Sequence, residues 1–382
     1  MLTERAAGPA PAEAFTAWLP GVRSWAAAAR PTRADWAAGA GLGLLSLSVP
    51  TGSGGAGAGY LATCRAWEAA GESAVLAGAD EPGGLLFGMA AHLWACQEPL
   101  LAFGTPGQHA ALLPGMLTGS VAGAFAATED EAGSDVFSMR TRAERDDAGR
   151  WRLDGAKAFV TNAPFADVFL VLARTGAGSA LGALSAFLVP RGTAGLTVGP
   201  ALTQVGPAGA AMAPVQFDGV RVGPDACLGG EGAGFAVLMH AMRHERAMIL
   251  APAVGLMAGA LARAVEHARR RVQFGRPIGA FDSVRERLVD AELSVTAARE
   301  VLHGTARLAD LGELTHRRAA LTKLHVSREF GRLGRRLADL YGGYAVLPST
   351  GIAQLLQDAL ASRFYSGTED MQVKVIAEGW GL

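Results

Sequence analysis

The sequence predicts an α+β protein with its strands gathered in the middle third of the chain, between two helical parts. Three observations predict it. Ala- and Leu-rich stretches with helical spacing of apolar residues fill positions 1–120, short turn-bounded apolar runs fill 121–230, and long helical patterns return over 231–382. Helices, then strands, then helices is the order of a segregated α+β layout. The 382 residues, half of them apolar, with net charge −1 and mean hydropathy +0.23, describe a globular chain with a sizeable core. So small a net charge excludes nucleic acid and anionic membrane as expected partners, because both demand a large basic excess. Three widely spaced cysteines, Cys64, Cys96 and Cys227, form no CxxC pair, so neither a disulfide framework nor a thiolate metal site is expected, and a reducing cytoplasm fits. The start, MLTERAAGPAPAEAF, has no basic segment leading into an apolar run, and export is not expected. Three lysines stand against thirty-one arginines, which with the abundant Ala and Gly reads as GC-rich coding and points to no chemistry.

In the first part, YLATCRAWEAAGESAVL has helical periodicity, and VPTGSGGAGAG at 49–59 is a loop leading into it. That glycine-rich run lacks the GK[ST] of a phosphate-binding loop. Between Glu81 and Glu129 the one formal charge is Glu98, yet His92, Gln97, Pro99 and GTPGQH cut the stretch into pieces too short to span a membrane. In the middle part, VAGAFAAT, MRTRAER, WRLDGAKAFVTN, VFLVLART, ALSAFLVP and VQFDGVRV read as strands. RAERDDAGRWRLDG is a hairpin bent at DDAG, and VFLVLA is continuous enough to be buried on both faces. Beyond Gly230 the helices break at FGRPIGAFD, YGGYAVLPST and YSGTED. The arginines of RRRVQFGR (269–276) and RRLADLYGG (335–343) suit either a solvated helix end or a bound pyrophosphate.

Chemistry enters with LMHAMRHERAMILAPAVGLM at 238–257, where Glu245 shares its helical face with Leu238, Met242, Ile249 and Leu256. A carboxylate there loses hydration and needs a partner or a job. In TEDEAGSD (128–135) the small Ala132, Gly133 and Ser134 let a ligand approach backbone N–H donors. In KAFVTN (157–162) Phe159 offers a wall for a planar ring and Thr161 a hydroxyl. Together these fit a flavin cleft, although each alone is also what an ordinary turn looks like.

Taken in order, GLLSLSVPTGSGGAG, TEDEAGSD, KAFVTN, LGGEGAGF, HERAMI, RRRVQFGRPIGAFDSV, DLYGGYA and YSGTEDMQ resemble the acyl-CoA dehydrogenase family over roughly residues 35–380. The resemblance implies a helical N-terminal domain, a central β domain and a C-terminal four-helix bundle. It implies FAD between the last two, shared across a subunit boundary in a homodimer or a tetramer of paired dimers. By motif match, Phe125, Thr128, Gly133, Ser134, Phe159 and Thr161 line the flavin from its own subunit. Arg271 and Phe274 reach the neighbour's FAD, Arg271 near its pyrophosphate; Gly342 and Gly343 approach the same cofactor, and Thr368 its ADP part.

The family reaction removes an α proton from an acyl thioester and a β hydride to flavin, leaving a 2-enoyl thioester. Many members carry the base as a Glu before the Gly-Thr of the last motif, where YSGTED has Ser366, whose hydroxyl is far too weak a base unaided. A second branch, which includes isovaleryl-CoA and long-chain acyl-CoA dehydrogenases, keeps the base on the helix of the ER…GLM motif, and here that residue is Glu245. Desolvation in an apolar acyl pocket raises such a carboxyl toward working pH. A backbone N–H at Ser366 supplies the thioester oxygen with a donor that survives the side-chain change. Ser134, Arg246, Ser366 and Gly367 complete the substrate side.

Several positions depart from the family pattern: Asp282 and Asp339 stand for amides, Ala345 for a glycine and Gln357 for an arginine, all on the face expected to share FAD. Acids there would repel phosphate. The expected substrate is an acyl thioester on CoA or a carrier protein, as in secondary metabolism, with an electron-transferring flavoprotein or oxygen as acceptor. Two other readings are a flavin monooxygenase or N-hydroxylase on the same fold, which needs no carboxylate base, and a catalytically silent flavin- or thioester-binding homologue.

Overall fold

Capping residues fix ends of several of the first helices. The computed structural model describes residues 12–79, 82–176 and 181–381. Helices α1 (Ala12–Ala28), α2 (Arg33–Gly41) and α3 (Gly59–Ala77) come first. The Thr32 hydroxyl accepts from the Asp35 N–H at the start of α2, and Gly78, left-handed at φ 72°, ends α3. Then α4 (Pro82–Ala91) runs through a π-helical turn, His92–Gln97, into α5 (Glu98–Phe103). α6 (Pro106–Thr118) begins with a reciprocal Thr105–Gln108 capping box. The charge-poor stretch is thus a set of helices and turns, buried through α4, the π-helical turn and the start of α5 as its composition suggested, but with α6 largely at the surface.

The strands are β1 (Gly123–Ala126), β2 (Arg142–Arg145), β3 (Trp151–Thr161), β4 (Val168–Arg174), β5 (Leu184–Pro190), β6 (Leu196–Val198), β7 (Met212–Val222) and β8 (Cys227–Leu228). They form one sheet in the order β6-β7-β3-β2-β4-β5-β8, with β1 parallel to β4. The β2–β3 hairpin turns at Asp146–Gly149 as its sequence requires, Gly149 at φ 75°. β4 is buried from Val168 to Ala173 because its alternate residues enter two cores. Phe169, Val171 and Ala173 join Trp151, Phe187 and Phe217 within the sheet, while Val168, Leu170 and Leu172 meet Leu100, Met116, Val237 and Leu238 of the helices.

The last part comprises α7 (Gly234–Met248), α8 (Ala251–Arg270), a short β9–β10 hairpin (Val272–Gln273, Arg276–Pro277), α9 (Asp282–Asp310), α10 (His316–Tyr341), α11 (Ile352–Ala361) and α12 (Glu369–Glu378). The helix expected to continue from Leu238 through Met257 instead breaks at Ile249–Leu250. Pro252 is the cause, since it has no N–H to give the preceding turn. Leu256 therefore belongs to a second helix rather than to the face of Glu245. Residues 234–270 are apolar enough in length and composition to cross a membrane, but 78% of their most apolar window is buried against the protein itself. α3, α8, α9 and α10 share one core built on Trp67, Met257, Val295, Leu302 and Phe330.

Candidate active site

Two of the site motifs are held together by a charge pair that motif reading overlooked. Lys157, 1% exposed, lies on β3, and its ammonium donates to Glu129 Oε1 at 2.9 Å and to the Ala127 carbonyl at 3.0 Å. Glu129 in turn accepts from the N–H groups of Arg140 (2.6 Å) and Thr141 (2.9 Å). Although burial pushes the Glu129 carboxyl up, these donors hold it down at about 2, while burial pulls Lys157 down to about 8 against the attraction of Glu129. The Ala158 N–H donates to the Thr128 carbonyl at 2.9 Å, so the TEDEAGSD loop and the KAFVTN strand form one rigid face. Gly133, Ser134 and Phe159 are exposed on it, with Thr128, Thr161 and Phe125 partly covered.

Backbone strain marks the same places. Among the described residues only Phe159 (φ 53°), Asn162 (68°), Phe274 (50°) and Ser366 (56°) are non-glycine residues with left-handed φ. A bulky residue held there is an outlier that the surroundings must enforce, and such outliers concentrate at functional sites. Three of the four are residues the motifs singled out. Phe159 is 60% and Phe274 93% exposed, so each strained backbone presents an aromatic face outward. That arrangement fits a planar isoalloxazine or adenine partner, and Thr128, Gly133, Ser134 and Thr161 beside Phe159 are residue types compatible with FAD as its ligand.

A second group gathers around α7. Glu245 is 7% exposed, on the side of α7 that carries Leu238 and Met242. Burial pushes its carboxyl up to about 7, against the lowering pull of the Ser366 hydroxyl and of the positive charges on Arg246 and Lys323. The turn that brings Ser366 there is clamped from three sides. Arg246 Nε donates to the Ser366 carbonyl (3.3 Å), Gln372 Nε2 donates to the carbonyls of Ser366 (3.3 Å), Gly367 (2.9 Å) and Thr368 (3.3 Å), and Lys323 Nζ donates to the Ser362 carbonyl (2.6 Å). Arg246 thus fixes backbone beside the site. Thr368 caps α12 through the Met371 N–H, a structural task that the motif did not disclose. Lys323 and Gln372 were not singled out from sequence. The scarcity of lysine was the available signal, since two of the chain's three lysines lie buried in these two groups.

The third group lies where α8 meets α10. A cleft of about 410 Å³ is lined by His267, Arg271, Gln273, Tyr341, Gly343 and Tyr344, among others. Arg271 stands over the Tyr344 ring at 5.2 Å, and His267 stacks on Tyr341 at 4.3 Å. Gly342 and Phe274 are exposed nearby in sequence. The Asp282 carboxylate, expected to repel phosphate, opens α9 and pairs with Arg285 at 3.2 Å, which offsets its charge.

One further cluster, Glu98 with His240 and His244, has the composition of a metal site. Glu98 Oε2 lies 3.8 Å from His240 Nε2, wider than the roughly 3.3 Å set by two ligands on one tetrahedral ion. His244 Nδ1 bonds the His240 carbonyl at 3.0 Å and Arg243 stands at His240 Nδ1, so these contacts already engage one nitrogen of each ring.

Family models for the acyl-CoA dehydrogenase N-terminal, middle and C-terminal domains match residues 12–120, 124–220 and 232–381. The chain is 35% identical over 299 residues to an L-prolyl-(peptidyl-carrier protein) dehydrogenase of a Serratia species, covering 78% of this chain and 77% of that protein. It is 38% identical over 296 residues to the Pseudomonas fluorescens protein of the same name, covering 77% of each. Among solved structures, the prolyl acyl carrier protein oxidase AnaB superposes with TM-score 0.90 at 30% identity, covering 98% of this chain and 100% of that one. PigA with FAD and proline gives 0.90 at 30%, over the whole of both chains. Butyryl-CoA dehydrogenase from Megasphaera elsdenii gives 0.91 at 26%, over 98% of this chain and 100% of that one. With its motifs, its three-part layout and these likenesses in agreement, the chain belongs to the acyl-CoA dehydrogenase family of FAD-dependent oxidoreductases.

Proposed function

We propose that this dehydrogenase oxidises an acyl group carried as a thioester on the phosphopantetheine of a carrier protein, with Glu245 as the base that takes the α proton. The observation that carries the reading is a buried carboxyl, raised to about 7, on an apolar helix face and facing the Ser366 turn. A proton on carbon beside a thioester is weakly acidic, so the base must be stronger than an ordinary carboxylate yet ionised at working pH. A value near neutrality meets both demands. The Ser366 N–H donates to the thioester oxygen as negative charge grows there, and the carbonyl of that residue is already held by Arg246 and Gln372, so the donor is fixed before substrate arrives. Bound FAD supplies the acceptor for the β hydride. Thr128, Gly133, Ser134, Phe125, Phe159 and Thr161 hold it from one side, and Arg271, Phe274, Gly342 and Gly343 from a second copy of the chain, in a dimer or tetramer.

The carrier rather than CoA is favoured by the relatives named for carrier-bound prolyl substrates, at 35% and 38% identity. An electron-transferring flavoprotein or oxygen reoxidises the flavin, in the cytoplasm. The test is anaerobic bleaching of flavin by L-prolyl and butyryl thioesters, each on CoA and on a phosphopantetheinylated carrier. Glu245→Gln retains FAD and bleaches about 10²–10⁴-fold more slowly. Because the ionised carboxylate is the active form, the parent rate climbs with pH through about 7. Bleaching of Glu245→Gln at the parent rate would remove Glu245 from the chemistry.

A further inference from the structure

Lys323 is the most improbable side chain of the helical part. It is 0% exposed, on α10, in a chain that otherwise uses arginine for nearly every positive charge. A buried ammonium carries three protons, and here one hydrogen bond, to the Ser362 carbonyl at 2.6 Å, engages it among the described residues, with the Tyr365 ring centroid 5.2 Å away. The contacts on either side of Ser366 therefore come from different elements: Lys323 of α10 below Ser362 and Tyr365, Arg246 of α7 and Gln372 of α12 beyond it. We propose that Lys323 is a positioning residue for the dehydrogenation, tying the Ser362–Ser366 turn to α10 and lending its positive charge to the Glu245 carboxylate. The inference rests on Glu245 being the base.

The groups facing this lysine are Glu245 and Arg246 from α7, Glu369 from α12 and Tyr365 from the turn; those facing Glu245 include Ser366 and, from the π-helical turn, Cys96. Burial pulls the Lys323 ammonium down to about 7, with the two glutamates opposing, so acid and amine titrate in the same range and each governs the charge of the other. An ammonium adapts to that role as a guanidinium does not, because arginine stays charged under any burial a protein can impose. With its charge present, Glu245 remains ionised at a lower pH than burial alone would allow. With its charge removed, the base is protonated at neutrality and proton abstraction slows.

Two variants, Lys323→Gln and Lys323→Met, separate charge from support, since glutamine keeps a donor for the Ser362 carbonyl and neither keeps the ammonium. The measurement is the pH profile of anaerobic flavin reduction by L-prolyl-carrier and butyryl-CoA thioesters, beside Glu245→Gln. The expected result is an acid limb displaced upward by about one pH unit in both FAD-loaded variants, with a roughly tenfold loss at pH 6 that recovers above pH 8.5, and an unchanged KM for Lys323→Gln. A Lys323→Gln limb that coincides with the parent overturns the proposal, even if Lys323→Met fails to fold. If Glu245→Gln is inactive while that limb stays put, the lysine inference alone falls. If Glu245→Gln reduces flavin normally, the base assignment falls and takes this inference with it.

Discussion

Glu129 and Lys157 form a buried charge pair behind the face proposed to hold the flavin. One sits in the TEDEAGSD loop and the other in KAFVTN, and their contact, with Lys157 side chain at 0% and Glu129 at 9% exposure, ties the two motifs through charge. The Glu129 value in the folded chain, about 2, lies below its ordinary 4.5, so the unfolded chain binds the proton more readily. Its contribution to stability is fully present above about pH 4.5 and disappears as pH falls through about 2. Lys157→Met leaves the carboxylate buried beside two backbone donors and no counter-charge. Breaking a buried pair in this way costs about 3–5 kcal/mol, and we expect the loss in urea unfolding, with FAD released at lower denaturant than in the parent. A midpoint equal to the parent's would show that the loop holds without the pair.

At the scale of elements, α7 is aimed by what surrounds it. Val237 and Leu238 pack on the sheet through β4 and β5, the π-helical turn brings Cys96 near Glu245, and Pro252 interrupts the axis just after Ile249. α8 then crosses α3 at a backbone-to-backbone contact: a Cβ on Gly255 would lie 2.0 Å from the Glu68 carbonyl oxygen, and one on Gly71 2.2 Å from that of Pro252. Glu68 also binds His303 of α9 at 2.9 Å, so displacing this crossing strains three helices together. Gly255→Ala is expected to destabilise by about 1–3 kcal/mol. Gly331→Ala, in α10 where the added methyl meets nothing closer than an Arg335 nitrogen at 3.6 Å, should instead stabilise by about 0.5–1 kcal/mol through helix propensity. Thermal denaturation of the two variants should move in opposite directions, and movement in the same direction would contradict the close crossing.

For the whole molecule, the cleft at Arg271, Gly343 and Tyr344 and the exposed Phe274 ring are open surfaces among the described residues. A second copy that brings its FAD there would cover both and place a guanidinium on the pyrophosphate. Arg271→Ala should then raise the FAD dissociation constant at least about tenfold, while the residual FAD-loaded protein bleaches at the parent rate, since the proposed base, Glu245, is not among the residues lining this cleft. Flavin fluorescence on dilution measures the first quantity and anaerobic bleaching the second. Unaltered retention of FAD would exclude a pyrophosphate contact.

The order of helices and strands, the hairpin at Asp146–Gly149, the buried strand at Val168–Ala173 and the Leu238–Met242 part of the apolar face bearing Glu245 were legible in the sequence, because each rests on periodicity or turn chemistry within a few residues, whereas the break that removes Leu256 from that face was not. So were the motif residues Phe159, Phe274 and Ser366, though not the left-handed backbone that sets them apart. Tertiary structure alone decided which buried charges meet: Lys157 with Glu129 across 28 residues, Lys323 with the carbonyl of Ser362 across 39, Arg246 with that of Ser366 across 120. Local spacing carries no information about such pairs. Their partners are chosen by the packing of elements far apart in the chain, and their ionisation is set by the water that packing excludes.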